Sequence, residues 1–309
     1  MQHDLPFLSI VIPTFSRPRE LAACLGSLAR LDFPRASFDV VVVDDGGPEP
    51  LDEVVAPFAS ALDVQLLRQA NAGPAAARNA GARRAKGSLL VFIDDDCAPA
   101  PDYLRALAAR AAAAPDCTIG GLTINALRGN LCSSASQMLN DYLYAYFNAE
   151  PSRARFLTSN NMLVPAGVFR ALGGFDTGFR LAAGEDRDFC ERLLRDGYSI
   201  QYAPEAIIYH SHRLTLRQYL RQHFTYGRGA ATVHHRRAAA TPGAPAFAPT
   251  SFYLNLLRYP FSRESGAPAL ALAGLFAVSQ VATAGGYVRE RVARRGAGGS
   301  RRRSGGQQG

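Results

Sequence analysis

Short apolar runs that end in carboxylates recur along the N-terminal part of the chain, and they restrict the fold more than any other feature. Residues 8–12 form a β-rich run, residues 39–43 are almost purely valine, residues 64–68 make a third run and residues 88–93 a fourth. Helical patterns separate them, at about 18–31 with Ser16 placed to cap it, and at about 74–85 in an Ala-rich stretch. Strand and helix alternating at this spacing predict an α/β fold with a Rossmann-like, mostly parallel sheet flanked by helices. The valine run has no polar alternation, so it is expected to be covered on both faces. In such a sheet ligands lie beyond the carboxyl ends of the strands. The acids stand there: Asp44 and Asp45 after the second run, and Asp94, Asp95 and Asp96 after the fourth.

Three adjacent carboxylates repel one another unless a cation is present. Acids also favour helix N-termini, but the next helical pattern begins only near Pro101 and Asp102. Oxygen ligands beside an expected phosphate suit Mg²⁺ or Mn²⁺. Asp44 or Asp45 can accept hydrogen bonds from ribose or base N–H groups. Arg78 reads either as a base or phosphate contact or as a surface arginine on an Ala-rich helix.

The second half is less regular. Residues 135–147 are predicted helical, and 185–196 form a strongly amphipathic helix closed by Gly197. Glu185 and Asp186 open that helix, where the dipole keeps a carboxylate ionised, either as a general base or as a capping acid. Asp188 faces another way and reads as structural. Residues 199–202 and 206–210 read as two short strands. His210 and His212 fall on one face by alternation, suiting a metal ligand or a diphosphate contact.

Taken in order, Ser9-Ile10-Val11-Ile12-Pro13-Thr14-Phe15, Val41-Val42-Val43-Asp44-Asp45-Gly46, Asn71-Ala72-Gly73-Pro74 through Ala77-Arg78-Asn79-Ala80-Gly81, and Phe92-Ile93-Asp94-Asp95-Asp96 resemble the family 2 glycosyltransferases. The resemblance runs over about residues 8–210 and continues in Gly173-Gly174-Phe175-Asp176 and Gly184-Glu185-Asp186. It implies the fold called GT-A and transfer of a sugar from a nucleotide-diphosphate sugar to an acceptor hydroxyl, with inversion; a glycan or lipid-linked acceptor is expected from the membrane reading given below. Pro13, Thr14, Phe15, Asp44, Asp45, Arg78, Asp94 and Asp95 are then expected at the nucleotide. Asp94 and Asp96, with His210 and His212, are expected at the metal. Asp186 would be the base with Glu185 beside it, and Asn160 and Asn161 would meet the acceptor. Where the family often has Asn before the Arg, this chain has Ser16-Arg17. Retention in the same fold is the alternative outcome. A dinucleotide-dependent oxidoreductase is excluded, because the turn after the first strand lacks a G-x-G-x-x-G pattern.

These readings divide the chain into a catalytic domain at 1–212, with a nucleotide-binding half to about 100 and an acceptor half from about 101. A basic helical extension follows at 213–260, an apolar segment at 267–287, and a disordered Arg/Gly-rich tail at 288–309. The formal charge of +8 is concentrated at the C-terminus, where residues 211–309 hold 15 Arg against Glu264 and Glu290. That imbalance suggests an anionic partner. A membrane surface fits better than nucleic acid, since no nucleic-acid motif accompanies the arginines. Arg213, Arg217 and Arg221 are expected to form one helical stripe, with Tyr226-Gly227-Arg228-Gly229 breaking that helix and 242–249 serving as a flexible link. The apolar segment could span a bilayer by length. However, both its flanks are basic, so the expectation is a segment lying in the inner leaflet, at the cytoplasmic face of the cell membrane. Five cysteines without a CxxC pair and an N-terminus without an apolar leader pattern agree with a cytosolic setting. Surface-glycan or glycolipid synthesis follows as the expected role.

Overall fold

A computed structural model describes residues 6–179, 181–243 and 247–304, with side chains in the last helix described as far as Arg295. The chain forms two compact units, one of residues 1–129, 140–180 and 185–213, the other of 130–139, 181–184 and 214–309. The strands are β1 (Leu8–Thr14), β2 (Phe38–Asp44), β3 (Val64–Arg68), β4 (Leu89–Ile93), β5 (Cys97–Pro99), β6 (Thr118–Asn125), β7 (Asn161–Pro165) and β8 (Ile200–His210). The helices are α1 (Pro18–Leu28), α2 (Asp52–Val55), α3 (Pro74–Arg84), α4 (Tyr103–Ala113), α5 (Leu131–Phe147), α6 (Ala166–Ala171), α7 (Glu185–Arg195), α8 (Leu216–Ala240), α9 (Thr250–Arg263) and α10 (Gly266–Ser304).

The strands make one mixed sheet in the order β3-β2-β1-β4-β7-β6-β8-β5. The half built from β1 to β4 is parallel, as the sequence predicts. β7 then enters antiparallel between β4 and β6, and β5 pairs antiparallel with β8. Chain direction therefore changes beside β4, the strand that leads into the aspartate run. The valines of β2 are wholly buried: Val40 and Val42 pack on one face and Val41 and Val43 on the other. Each such side chain contributes roughly 1.5–3 kcal/mol by leaving water. The two short strands expected near residue 200 are one strand, β8, whose pairing with β6 shifts register after Gly121.

The Ala-rich composition of α3 has a steric reason. A Cβ on Gly81 would lie 2.4 Å from Val11 Cγ1, so this helix rests close against the sheet and admits only small residues there. That close approach is what buries Arg78. Two expectations at helix ends need correction. Ser16 does not cap α1: Arg17 holds the N-cap position, without a side-chain cap bond, and Ser16 adopts a left-handed φ of 57° in the turn. Arg213 lies before α8, which starts instead with a capping box between Thr215 and Gln218, so the arginine stripe reduces to Arg217 and Arg221.

In the second unit, α8 runs unbroken through Tyr226-Gly227-Arg228-Gly229. These glycines are contact points rather than breaks. A Cβ on Gly227 would fall 1.9 Å from the Thr283 carbonyl oxygen, and one on Gly286 would fall 1.9 Å from that of Phe224. The backbones of α8 and α10 thus approach as closely as glycine allows. The Arg/Gly-rich stretch expected to be disordered from residue 288 continues α10 to Ser304. Arginine and alanine favour helix, and each glycine costs only about 1 kcal/mol. Residues 305–309 and the middle of the expected link, 244–246, lie outside the described residues.

The glycine crossing gives a matched pair of variants. Gly286→Ala is expected to lower stability by about 1–3 kcal/mol through overpacking. Gly274→Ala, on the same helix with nothing within 4 Å of its added methyl, is expected to raise it by about 0.5–1 kcal/mol. Urea unfolding measures both, and equal shifts of the same sign would rule out a steric role for the crossing.

Candidate active site

The site grows from the parallel register of β1, β2 and β4, which ends three strands at one rim of the sheet. After β1 the chain turns through Phe15, which is 48% exposed, to Arg17. The Thr14 hydroxyl donates to Asp95 Oδ2 at 2.7 Å. Pro13 sits within β1, opposite Val43. After β2, Asp44 Oδ1 accepts from the Gly47 N–H at 2.9 Å, and Asp44 Oδ2 lies 3.5 Å from Arg68 Nε. Asp45 accepts from Gln69 Nε2 and from the backbone N–H groups of Ala72 and Gly73, at 2.7, 3.0 and 2.9 Å. Its carboxylate therefore shapes the loop that leads into α3, and any nucleotide contact must be shared with those bonds.

The aspartates after β4 have different surroundings. Asp94 is partly exposed and takes an ion pair from Arg78 at 2.6 Å. Asp95 is buried; burial pushes its carboxyl up to about 7, against the pull of Arg17 and the Thr14 hydroxyl. Asp96 is also buried, but there burial is outweighed: the imidazoles of His210 and His212, with the Arg17 guanidinium, hold it far below the usual carboxylate range. Burial works against a protonated His210, yet the neighbouring Asp96 prevails and raises its pKa.

One carboxylate oxygen of Asp96 and one ring nitrogen each of His210 and His212 lie within 4.8 Å of one another. Asp96 Oδ1 faces His210 Nε2 at 3.1 Å without a well-directed hydrogen bond, and Asp96 Oδ2 is 3.2 Å from His212 Nδ1. Convergent O and N donors around one point fit a divalent cation. Of the four residues expected at the metal, Asp96, His210 and His212 gather, while Asp94 is paired with Arg78 and is not part of that group.

Arg78 links the aspartates to α7. Its buried guanidinium reaches Asp94 with one nitrogen and Glu185 with the other, at 2.6 and 3.1 Å. The segment before α7 is fastened from both sides. Asn79 Nδ2 donates to the Phe175 carbonyl, and Arg192, paired with Asp188 at 2.8 Å, donates to the carbonyls of Leu172 and Gly174. Burial, with the Asp186 charge next to it, pushes Glu185 up to about 7 against the pull of Arg78; burial also raises Asp186.

The acceptor expectation needs one correction. Asn161 is wholly buried in β7; its Oδ1 accepts from the Tyr103 hydroxyl at 2.9 Å and its amide points at the Ala206 carbonyl at 3.4 Å. It is a core polar group with no face for an acceptor. Asn160 is also buried and accepts from the Thr158 hydroxyl at 2.7 Å. Sequence reasoning passed over Arg17, which touches Asp95 and Asp96 at 2.9 and 2.6 Å. Its signal was an arginine in the turn after a strand whose neighbour ends in three acids.

A mixed sheet with nucleotide-side acids at its parallel rim, and a cation-fitting cluster there, defines a GT-A type sugar-transfer enzyme. The glycosyl transferase family 2 model matches residues 9–173, and the chain belongs to that family: it is a glycosyltransferase that uses nucleotide sugars. It is 26% identical to glycosyltransferase AglE of Haloferax volcanii over 241 residues, 75% of this chain and 76% of that one. It is 30% identical to validoxylamine A glucosyltransferase of Streptomyces hygroscopicus subsp. jinggangensis, over 65% of this chain and 54% of the relative. The chain thus spans little more than half of that second protein. Among solved structures, a mannosyltransferase from Pyrobaculum calidifontis in complex with GDP-Man and Mn²⁺ aligns with a TM-score of 0.68 at 18% identity, covering 92% of this chain and 87% of that one. Residues 1–349 of S. aureus TarS with UDP-GlcNAc align at 0.54 and 17% identity, over 94% and 92%. At such identities these likenesses establish the fold.

The cluster predicts an order of metal affinities. Asp96→Asn, His210→Ala and His212→Ala are each expected to weaken Mn²⁺ binding by about tenfold or more, since even residues behind a ligand cost 10–100-fold. Asp94→Asn should stay within about threefold of the parent, well under that range. Calorimetry with Mn²⁺ alone reads this, and an Asp94→Asn loss equal to that of Asp96→Asn would restore Asp94 to the metal.

Proposed function

We propose that the protein is an inverting, metal-dependent transferase in which Asp186 takes the proton of an acceptor hydroxyl. The observation that carries this reading is the division of labour between the two acids that open α7. Glu185 is buried and tied to Arg78, whereas Asp186 is half-buried, accepts the Arg187 N–H at 2.7 Å, and has no ion-pair partner among the described residues. A carboxylate pushed upward in pKa is the stronger proton acceptor. Phe15 offers an exposed ring to the nucleotide base, with Pro13, Thr14 and Asp45 fixing the turns around it and Arg78 and Asp94 next along the rim. A divalent ion held by Asp96, His210 and His212 would supply positive charge for the departing diphosphate, and two imidazoles favour Mn²⁺ over Mg²⁺. With the base on α7, the acceptor oxygen attacks the anomeric carbon from the face opposite the nucleotide, its proton passes to Asp186, and the nucleoside diphosphate leaves.

Asp186→Asn is expected to lower kcat by a factor of at least about 10², with donor affinity unchanged. A variant turning over within about tenfold of the parent removes the base assignment. Because burial raises both acids of α7, kcat/KM of the parent should fall as pH drops, on a limb lying above the ordinary carboxylate range near ~4. NMR of the fresh product's anomeric centre separates inversion from retention.

The second part of this reading places the enzyme at an anionic membrane surface, acting on a glycan or lipid-linked acceptor in surface-glycan or glycolipid synthesis. Residues 266–295 of α10 are long and apolar enough to cross a membrane: an 18-residue window within them has a mean hydropathy of 1.6, yet only 22% of that window is buried. While Leu272, Phe276 and Ser279 face inward, Leu270, Val278, Val281 and Val288 are exposed at 65%, 43%, 72% and 59%. An apolar outer face suits the lipid interface, and Arg289 and Arg291 at its end suit anionic headgroups. Vesicles containing anionic lipid should co-sediment the protein. Replacing Val281 and Val288 by Ser should weaken that association even at low salt, whereas release of the parent by high salt alone would contradict insertion.

A further inference from the structure

Arg17 stands at a place where two cations compete for one carboxylate. Its guanidinium bridges Asp95 Oδ1 at 2.9 Å and Asp96 Oδ2 at 2.6 Å. The same Asp96 Oδ2 faces His212 Nδ1 at 3.2 Å, inside the cluster that fits a divalent ion. Both aspartate side chains are almost fully buried, at 4% and 2% exposure, whereas that of Arg17 is 35% exposed. Buried carboxylates need a counter-charge, since an unpaired buried charge costs several kcal/mol.

The anchoring of Arg17 is one-sided. Its backbone is fixed as the N-cap of α1, where its carbonyl accepts the Leu21 N–H at 3.1 Å. Its side chain reaches from there toward solvent and holds two carboxylates with separate nitrogens. It can therefore release Asp96 and still remain paired to Asp95. No other arginine or lysine forms an ion pair with Asp95 or Asp96 among the described residues.

We propose that Arg17 is a resident counter-cation that occupies Asp96 in the metal-free enzyme and yields it when the divalent ion binds. This rests on the metal reading given above and adds a positioning role for one residue. Arg17 offsets part of the negative charge at the rim of the sheet without metal, and it sets metal affinity by competition. The ion takes over Asp96 from the guanidinium, and Arg17 stays on Asp95.

Competition predicts an effect opposite to that of losing a structural prop. Calorimetric titration with Mn²⁺ alone, on the full chain, should show Arg17→Ala binding Mn²⁺ at least about fivefold more tightly than the parent, the low end of usual coupling between two sites. The same variant should melt at lower temperature than the parent without metal, and saturating Mn²⁺ should close most of that gap. Arg17→Lys, which keeps one charge but cannot bridge two carboxylates, should fall between them in both respects and provides the reading if Arg17→Ala does not fold without metal. Unchanged or weaker Mn²⁺ binding in folded Arg17→Ala and Arg17→Lys overturns the competition alone. Failure of the parent itself to bind Mn²⁺ overturns both this role and the metal site.

Discussion

Carboxylates that leave water must find a compensating charge, and at the rim where β1, β2 and β4 end this requirement organises everything nearby. The consecutive Asp94, Asp95 and Asp96 are brought together with the distant Glu185, and each meets a cationic or polar partner. Two arginines do most of this work from opposite sides: Arg17 on Asp95 and Asp96, Arg78 on Asp94 and Glu185. In a low-dielectric setting such pairs are strong when complete and costly when broken. Their geometry also sorts the acids by role. Asp94, Asp95 and Glu185 are held by arginine, Asp96 is shared between Arg17 and two imidazoles, and Asp186 has no ion-pair partner among the described residues.

The backbone makes that sorting possible by bringing elements unusually close. Arg78 can be buried only because α3 lies on the sheet with Ala75, Ala77 and Gly81 at the contact. A bulkier helix would stand farther out and leave the guanidinium in water, where it could not bind Asp94 and Glu185 together. Small residues serve a separate purpose in the second unit. There Gly227 and Gly286 bring α8 and α10 into backbone contact, and the outer face of α10 is left apolar. A helix apolar on both faces needs a covering on the second.

Much of this could be read from the sequence because strands and their terminal acids leave local signals. The unbroken valines of β2 announced burial on both faces, and the order of motifs from Pro13 to Asp186 carried the family and the rim. What failed was information that lies in long-range packing. Gly227 and Gly229 look like helix breakers in one dimension, since their purpose is visible only when Thr283 and Ala183 lie against them. Asn161 resembles an exposed loop amide until β7 is seen to pass through the sheet interior. That Asp94 stands apart from Asp96, His210 and His212, all four expected together, depends on where Arg78 points, which no spacing rule contains.

The convergence of Asp96, His210 and His212 on one point, proposed here to hold a cation, is the feature on which the proposed donor binding and the proposed role of Arg17 both rest. Pulsed electron paramagnetic resonance of the Mn²⁺-loaded protein examines it directly, because ring nitrogens bonded to manganese leave a characteristic nitrogen hyperfine coupling. Two coupled imidazole nitrogens, reduced to one in either single histidine variant, is the expected spectrum. Manganese bound with no nitrogen coupling would mean an all-oxygen site elsewhere on the rim, and the assignment of these three residues would be wrong.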